Sequence, residues 1–336
     1  MGVRLRKIAD QVVVVKGASS GIGLVTAREA AHRGAAVVLA ARNEEALTEA
    51  TTHLQSSGAR AVCVVADVGR QQDVARIAST AVQQFGRFDT WVNNAGVSIF
   101  GRVDEVSIED MRRMFDTNFW GVVYGCREAV QHYKGRADFA GAIVNVGSVF
   151  GDRSDVVQST YASSKFAVHG WTDALRMEME AAGVPVSVTL VHPGRIDTPY
   201  NEHAQSYLPQ QPAHRGMIYP PEAVAEAILY AAEHSVRDLF VGSQAKLGAV
   251  AGALAPRLVD LLMERYMFWS QRADRPSREK GDSALHQPGY GLHERGTHQG
   301  WVRSRSYYLK AEKHRRLSAL AVAGTAAALL AIRRRR

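Results

Sequence analysis

The sequence has little cysteine and no apolar run near its start that is long enough for a signal peptide. Of its 336 residues only Cys63 and Cys126 are cysteines, and both stand in apolar surroundings without the spacing of metal ligands. A disulfide-based scaffold is therefore excluded, and no metal site is expected. Both observations are typical of a protein of the reducing cytoplasm, which is the expected location.

The chain also lacks any strong excess of charge outside its last 34 residues. The total is 41 Lys plus Arg against 33 Asp plus Glu, a net charge of +8. Residues 303–336 hold ten basic residues and one acidic residue, a net +9, which leaves −1 for the other 302 residues. A body with this balance offers no basic surface excess, so no nucleic-acid partner is expected.

Apolar residues make up 46% of the chain, enough for a large core. Short, nearly continuous apolar runs alternate with longer helical patterns up to residue 242, which predicts an α/β fold with a doubly wound parallel sheet of about seven strands. Ligands of such a sheet bind at the carboxyl ends of its strands. The predicted strands are Val12–Val15, Ala36–Ala40, Ala61–Ala66, Asp89–Val92, Ala142–Val146, Val186–Val191 and Asp238–Val241. The predicted helices are Gly21–Arg33, Glu44–Gln55, Gln71–Phe85, Ile108–His132, Thr160–Ala182 and Glu222–Glu233.

Beyond this region, 1–242, the pattern changes three times. Residues 243–270 are predicted as an apolar helical extension, 271–303 as an irregular linker, and 304–336 as a basic and apolar tail. The tail contains an apolar run of 16 residues, Leu317–Ile332. As a helix it would span roughly 24 Å, short of the ~30 Å hydrocarbon core. A short membrane anchor, a shallow insertion and a helix docked on protein all remain open, and membrane association is favoured among them.

The first predicted strand leads directly into Lys16–Gly23, which opens a helix. Its three glycines, Gly17, Gly21 and Gly23, allow a tight turn, a close approach to a ligand and close packing of helix on sheet. The amides at the start of that helix favour a pyrophosphate. The motif therefore predicts a dinucleotide site of the Rossmann type.

Taken together, this glycine motif, the Asn-Asn-Ala-Gly of residues 93–96 and the Tyr-x-x-x-Lys of residues 161–165 resemble the short-chain dehydrogenase/reductase family. The resemblance covers about residues 8–242. One departure is Lys16, which stands where the family usually has Thr. Its ammonium could approach the cofactor phosphates or extend into solvent, and loss of the Thr hydroxyl could loosen a link between strand ends.

Tyr161 and Lys165 stand four residues apart and so share one face of a helix. An ammonium about 4 Å from a phenol contributes roughly 4 kcal/mol at an effective dielectric constant near 20, and desolvation opposes part of it. A net lowering of the phenol pKa is expected, which suits Tyr161 as general acid/base. Ser148 follows a strand, where its hydroxyl can donate to a substrate carbonyl. The family usually has two serines there, and this chain has Gly147–Ser148. The resemblance implies that Asn118 holds a water that relays protons to the lysine.

The cofactor is predicted from the end of the second strand, where Ala40 and Ala41 are followed by Arg42. A carboxylate there would select NAD through the ribose hydroxyl, whereas an arginine without a carboxylate favours the 2′-phosphate of NADP(H). NAD is the less favoured alternative. Further cofactor-binding residues implied by the glycine motif and the resemblance are Ser19, Ser20, Ile22, Asp67, Val68, Asn94, Gly96, Ile196 and Thr198, together with Tyr161 and Lys165.

The resulting hypothesis is an NADP(H)-dependent oxidoreductase that interconverts a carbonyl and an alcohol (CH–OH). The tyrosine-rich loop 199–221 indicates a lipophilic small-molecule substrate. The resemblance also implies a homo-oligomer formed through the helices at 108–132 and 160–182. The alternative hypothesis is a non-catalytic nucleotide-binding scaffold tethered to a membrane.

Overall fold

The computed structural model describes residues 3–134, 136, 140–242, 247, 250–252, 254–279, 281–304 and 306–313. The predicted apolar run Leu317–Ile332 and the arginines that follow it lie outside these residues. Within the described part of the chain, no helix combines the length and the apolar character needed to cross a membrane.

A seven-stranded parallel sheet forms the centre of the fold, with strand order β10-β7-β6-β4-β1-β2-β3. This confirms the predicted doubly wound α/β architecture. The seven strands are β1 Val12–Lys16, β2 Ala36–Ala41, β3 Ala61–Val65, β4 Thr90–Asn93, β6 Gly141–Val146, β7 Val186–Pro193 and β10 Asp238–Val241. Four short strands pair outside it as β5 Ile99–Phe100 with β8 Gln205–Ser206, and β9 Gln210–Pro212 with β11 Arg272–Pro276.

Helices cover both faces of this sheet. Alternate residues of a strand point to opposite faces, so Val13 and Val15 of β1 enter one core cluster while Val12 and Val14 enter the other. The helices of the repeated β-α region are α1 Gly21–His32, α2 Glu44–Ser56, α3 Gln71–Phe85, α4 Ile108–Phe115, α5 Gly121–Lys134, α6 Ser159–Ala181, α7 Tyr200–His203 and α8 Pro221–Glu233. Those after it are α9 Pro256–Ser270 and α10 Tyr307–Lys313.

The helix predicted over 108–132 is in fact two helices joined by a π-helical turn, Asp116–Trp120. The helical spacing of apolar residues continues across this turn, and the sequence therefore predicts a single helix. The wider turn carries Asn118 into the interior, where it is fully buried. Single π-helical turns within helices are frequent at functional sites.

The segment predicted as an irregular linker, 271–303, contains β11 and otherwise has little regular structure. It does not lead away from the body. Leu292 donates its amide proton to Ser19 in the glycine-rich turn at 2.8 Å, and Arg303 donates its own to Ile218 at 2.8 Å. The segment therefore runs along the carboxyl ends of the strands.

Candidate active site

A pocket lies where the carboxyl ends of β1, β4, β6 and β7 meet. Its walls include residues from the glycine-rich turn, from the strand ends and from the helix α6. Nearly all of the residues that the sequence predicts for catalysis and cofactor binding line it, namely Gly17, Ser19, Ser20, Gly21, Ile22, Arg42, Asp67, Val68, Asn94, Gly96, Ser148, Tyr161, Lys165, Ile196 and Thr198. Gly23 and Asn118 lie behind this lining.

The glycine-rich turn has the geometry that its glycines predict. Gly17 has a φ of +76°, in the left-handed region that favours glycine. A Cβ atom on Gly23 would lie 1.9 Å from the carbonyl oxygen of Gly17, so α1 can approach the turn only with glycine there. Asn94 donates from its side-chain amide to the same carbonyl at 3.2 Å, which links the turn to the end of β4.

Lys16 points away from this turn and into the protein. Alternation along β1 directs its side chain to the face of α5, where its ammonium donates to the carbonyl of Gly121. It is only 1% exposed, and burial lowers its pKa to about 7. The readings that placed this ammonium at the cofactor phosphates or in solvent are therefore wrong. Gly125 makes room for it, since a Cβ atom there would lie 2.6 Å from Nζ.

Tyr161 and Lys165 lie on one face of α6, as their spacing predicts. Nζ of Lys165 lies 5.7 Å from the centroid of the Tyr161 ring and donates to the carbonyl of Val146 at 3.0 Å. Burial lowers the pKa of Lys165 to about 8. The ammonium thus reaches the end of β6 beside the phenol.

The pKa of Tyr161 does not follow the expected direction. Burial raises it above its usual value, while hydrogen bonds with Ser148 and Tyr200 oppose part of that rise. The expectation of a net lowering is wrong for this structure because it overestimated attraction to Lys165 relative to the desolvation of a buried phenol. At neutral pH the phenol is protonated and can act as a proton donor.

The side chains of Ser148 and Asn118, near Tyr161, are both fixed by hydrogen bonds within the protein. Ser148 caps the short 3₁₀ turn Val149–Gly151, with its hydroxyl accepting from the amide of Phe150 at 3.2 Å. Asn118 accepts from the amide of Val97 and donates back to its carbonyl, both at 2.9 Å. Its second amide proton goes to Ser164 at 3.1 Å. Both protons of the Asn118 side chain are thereby used within the protein.

Sequence reasoning missed a polar network next to Tyr161. The Tyr200 hydroxyl donates to Ser98 at 2.8 Å and accepts from Gln158 at the same distance. Its ring packs edge-on against Tyr161, with centroids 5.6 Å apart. From the sequence, Tyr200 is expected only to contribute apolar surface to the substrate pocket, as part of the tyrosine-rich loop. Ser98 and Gln158 belong to no motif.

At the other end of the pocket, Arg42 lies where the sequence places it, at the end of β2. Its guanidinium donates to the carbonyls of Ala284 and Leu285. Asp67 accepts from Arg113 at 2.6 Å and from the Gly69 amide at 3.0 Å. Burial opposes ionisation of Asp67, but these two donors hold its pKa below the usual value.

A buried chain of ionisable groups lies directly behind Ser148. Nδ1 of His192 lies 2.8 Å from Asp152, and Nδ1 of His169 lies 3.4 Å from the same carboxylate. His169 accepts the amide proton of Ser148 at Nε2, so its Nδ1 carries a proton and points it at Asp152. Asp152, His169 and His192 also converge closely enough to offer one ligand atom each to a metal ion. No motif in the sequence marks Asp152 or His169 as a functional residue.

A doubly wound parallel sheet with a glycine-rich turn between its first strand and helix defines a Rossmann-type dinucleotide-binding protein. The chain belongs to the short-chain dehydrogenase family, whose family model matches residues 11–208. It is therefore an oxidoreductase, and membership implies a nicotinamide cofactor.

Two similar proteins match most of the chain. It is 64% identical over 326 residues to the uncharacterized oxidoreductase YxnA of Bacillus subtilis (strain 168), a match that covers 97% of this chain and 91% of YxnA. It is 33% identical over 272 residues to SadH of Mycobacterium tuberculosis, covering 78% of this chain and 98% of SadH. A shorter match, 38% over 193 residues, is to 11-beta-hydroxysteroid dehydrogenase A of Sesamum indicum, covering 57% of this chain and 54% of that protein.

Proposed function

We propose that the protein is an NADP(H)-dependent oxidoreductase that interconverts a carbonyl and an alcohol, with Tyr161 as the general acid/base. The observation that carries this proposal is the convergence of Ser148, Tyr161 and Lys165 on one wall of the pocket. At the opposite wall, Gly17 and Gly23 have no side chains, and this leaves the space that a dinucleotide needs beside the turn. When bound, the nicotinamide supplies or accepts the hydride.

The protein residues move the proton. In the reductive direction the Tyr161 hydroxyl donates to the carbonyl oxygen, and Ser148 donates a hydrogen bond that orients the same oxygen. Lys165, with a pKa of about 8, is mostly cationic at neutral pH and stabilises the phenolate that remains. Because both protons of the Asn118 side chain are engaged, a relay water would bind another atom of that residue.

The preference for NADP(H) rests on Arg42 and on the absence of an acid at Ala40 and Ala41. A guanidinium has five N–H donors, and Arg42 uses two of them on the carbonyls of residues 284 and 285. The others suit a 2′-phosphate. We expect Arg42→Ala to lower kcat/KM with NADPH by roughly ten- to a hundredfold, from the ~1.5–3 kcal/mol of a charged hydrogen bond, and with NADH by much less. The exposed Arg70→Ala provides the matched control.

A lipophilic substrate is proposed from the pocket lining near Tyr161. Phe100, Phe150, Tyr200 and Met267 form much of this wall. A relative is named as a hydroxysteroid dehydrogenase, and steroids are lipophilic. The test is a panel of ketones and aldehydes of increasing apolar size, assayed by oxidation of NADPH against NADH. Cofactor binding without turnover of any member would contradict the proposal and favour a non-catalytic role.

A homo-oligomer is proposed from two exposed aromatic residues on the helices that the family resemblance implicates. Trp120, in the π-helical turn before α5, is 45% exposed, and Phe166 on α6 is 46% exposed. Large apolar side chains at this exposure suit a subunit interface. We expect Phe166→Glu to lower the mass measured by light scattering, whereas a change at the exposed Lys7 leaves it unaltered.

A further inference from the structure

We propose that residues 283–297, here called the strap, complete the dinucleotide site and must move for the cofactor to leave. This inference deepens the proposed function and rests on it. The strap follows β11 and crosses the pocket from the end of β2 to the start of α1.

The strap is hydrogen-bonded to the glycine-rich turn in both directions. Leu292 donates its amide proton to the carbonyl of Ser19 at 2.8 Å, and Gly21 donates its own to the carbonyl of His293 at 2.9 Å. Leu292 has a φ of +63°, which leucine adopts only where its surroundings impose it. These two bonds impose it, so the strap is fixed in place at the first turn of α1.

A second set of contacts holds the strap at the end of β2. Arg42 and Arg113 both donate to the carbonyl of Leu285, at 3.2 and 3.1 Å, and Asn43 donates to the carbonyl of Gly289 at 2.9 Å. The Leu285 side chain is fully buried. The arginine proposed to bind the 2′-phosphate is thus positioned by the strap backbone.

Ion pairs and a polar contact anchor the far end of the strap. Glu294 pairs with Arg28 on α1, and Arg295 pairs with Glu222 on α8 at 2.9 Å. The Thr297 amide donates to Glu202 at 2.8 Å. The strap is therefore attached to α1, to the end of β2, to α7 and to α8.

The strap also forms part of the pocket wall. Ala284, Pro288 and Gly289 line the same cavity as Gly17 and Ser19 of the glycine-rich turn. A dinucleotide bound in this cavity would contact both the turn and the strap. Its exchange with solvent would require the strap contacts to open, and the opening of such lids limits turnover in many enzymes.

Gly291 offers a direct way to displace the strap. A Cβ atom there would lie 2.1 Å from Cβ of Ala46 on α2, a separation that requires the strap to move. Gly291→Ala should therefore push the strap outward, and adding Ala46→Gly removes the nearest opposing atom, which leaves the Ser19 carbonyl oxygen at 3.2 Å as the closest neighbour. Gly281→Ala is the matched control, because a Cβ atom on Gly281 meets nothing within 4 Å. Ala46→Gly alone is the control for the cost of placing a glycine within α2.

The measurement is the rate at which NADPH leaves each full-length variant, followed by stopped-flow fluorescence with excess NADP⁺ as the competitor. We expect Gly291→Ala to raise this rate at least tenfold, and the Gly291→Ala/Ala46→Gly double variant to return it to near the wild-type value. Gly281→Ala and Ala46→Gly should leave it within twofold. The affinity for NADPH should fall in parallel with the faster release.

Three results would overturn the inference. An unchanged release rate in Gly291→Ala would show that the strap does not limit exchange. Tighter binding of NADPH by that variant would show that the strap obstructs the site instead of completing it. If the wild-type protein binds neither NADPH nor NADH, the proposed function fails and the strap proposal fails with it.

Discussion

A Cβ atom on Gly147 would lie 2.4 Å from Nε2 of His169. The same ring lies 2.5 Å from the position of a Cβ atom on Gly151. His169 thus occupies the space beside two glycines that flank Ser148, and its Nε2 accepts the Ser148 amide proton. The serine usual in the family at position 147 cannot coexist with the His169 ring as it is placed here.

Gly147→Ser should accordingly lower kcat, because His169 or the Ser148 backbone must shift. A loss of at least tenfold is expected, about 1.4 kcal/mol or more of transition-state stabilisation. The double variant Gly147→Ser/His169→Ala should recover much of the lost kcat, because the alanine leaves room for the serine side chain at position 147. The control is Gly170→Ser on α6, where a Cβ atom has nothing within 4 Å. Equal activity of Gly147→Ser and wild type would mean that this contact does not position Ser148.

Tyr161→Phe should reduce kcat by about 10²–10⁴-fold while the affinity for NADPH changes little, because the variant lacks only the transferable proton. Steady-state rates and fluorescence titration of NADPH separate these two effects. Wild-type turnover by the variant would rule out Tyr161 as the acid/base.

Lys16→Met should change the dependence of stability on pH. The unfolded lysine keeps its proton to about pH 10.5, whereas the folded one releases it near pH 7. Unfolding therefore takes up a proton between these values, so this group makes the wild type more stable as pH rises from 7 to 10.5. Lys16→Met should lose that slope and gain stability relative to wild type at pH 6, by a few kcal/mol at about 1.4 kcal/mol per pKa unit. Urea unfolding at pH 6 and pH 9 checks this, with exposed Lys7→Met as the control.

Asp155→Asn should act in the opposite sense. Burial raises the pKa of Asp155 to about 7, and its carboxyl group accepts from Gln271 just after α9. The folded state holds a proton that the unfolded state releases near pH 4, so this contribution to stability is complete below pH 4 and is lost as pH rises through 7. An asparagine at position 155 does not titrate, so the variant should not lose stability in this way. Its melting temperature between pH 4 and 8 should therefore depend less on pH than that of the wild type. The exposed Asp104→Asn should leave the wild-type profile unaltered.

The sheet and its motifs could be predicted from the sequence because their signals are local. An apolar run such as Val12–Val15 marks a strand with both faces covered, and the glycines after it mark the turn. The π-helical turn at Asn118 could not be predicted, since its residues keep a helical apolar pattern. Nor could the burial of the Lys16 ammonium, which depends on the space left by Gly125 on a helix more than 100 residues away.

The strap was equally inaccessible to pattern reading. Its composition is that of a loop, and its contacts with Ser19 and Arg42 join parts of the chain separated by more than 240 residues. Backbone carbonyls and amides make most of these contacts, and such groups leave no signature in a sequence.

The strap contacts also set an order of events during synthesis. The β-α body up to β10 precedes the strap in the chain, so a ribosome can finish the sheet while residues 283–297 are still to be made. The dinucleotide site of a nascent chain is then open at the end of β2 and at the start of α1, and it acquires its outer wall only in the last part of translation.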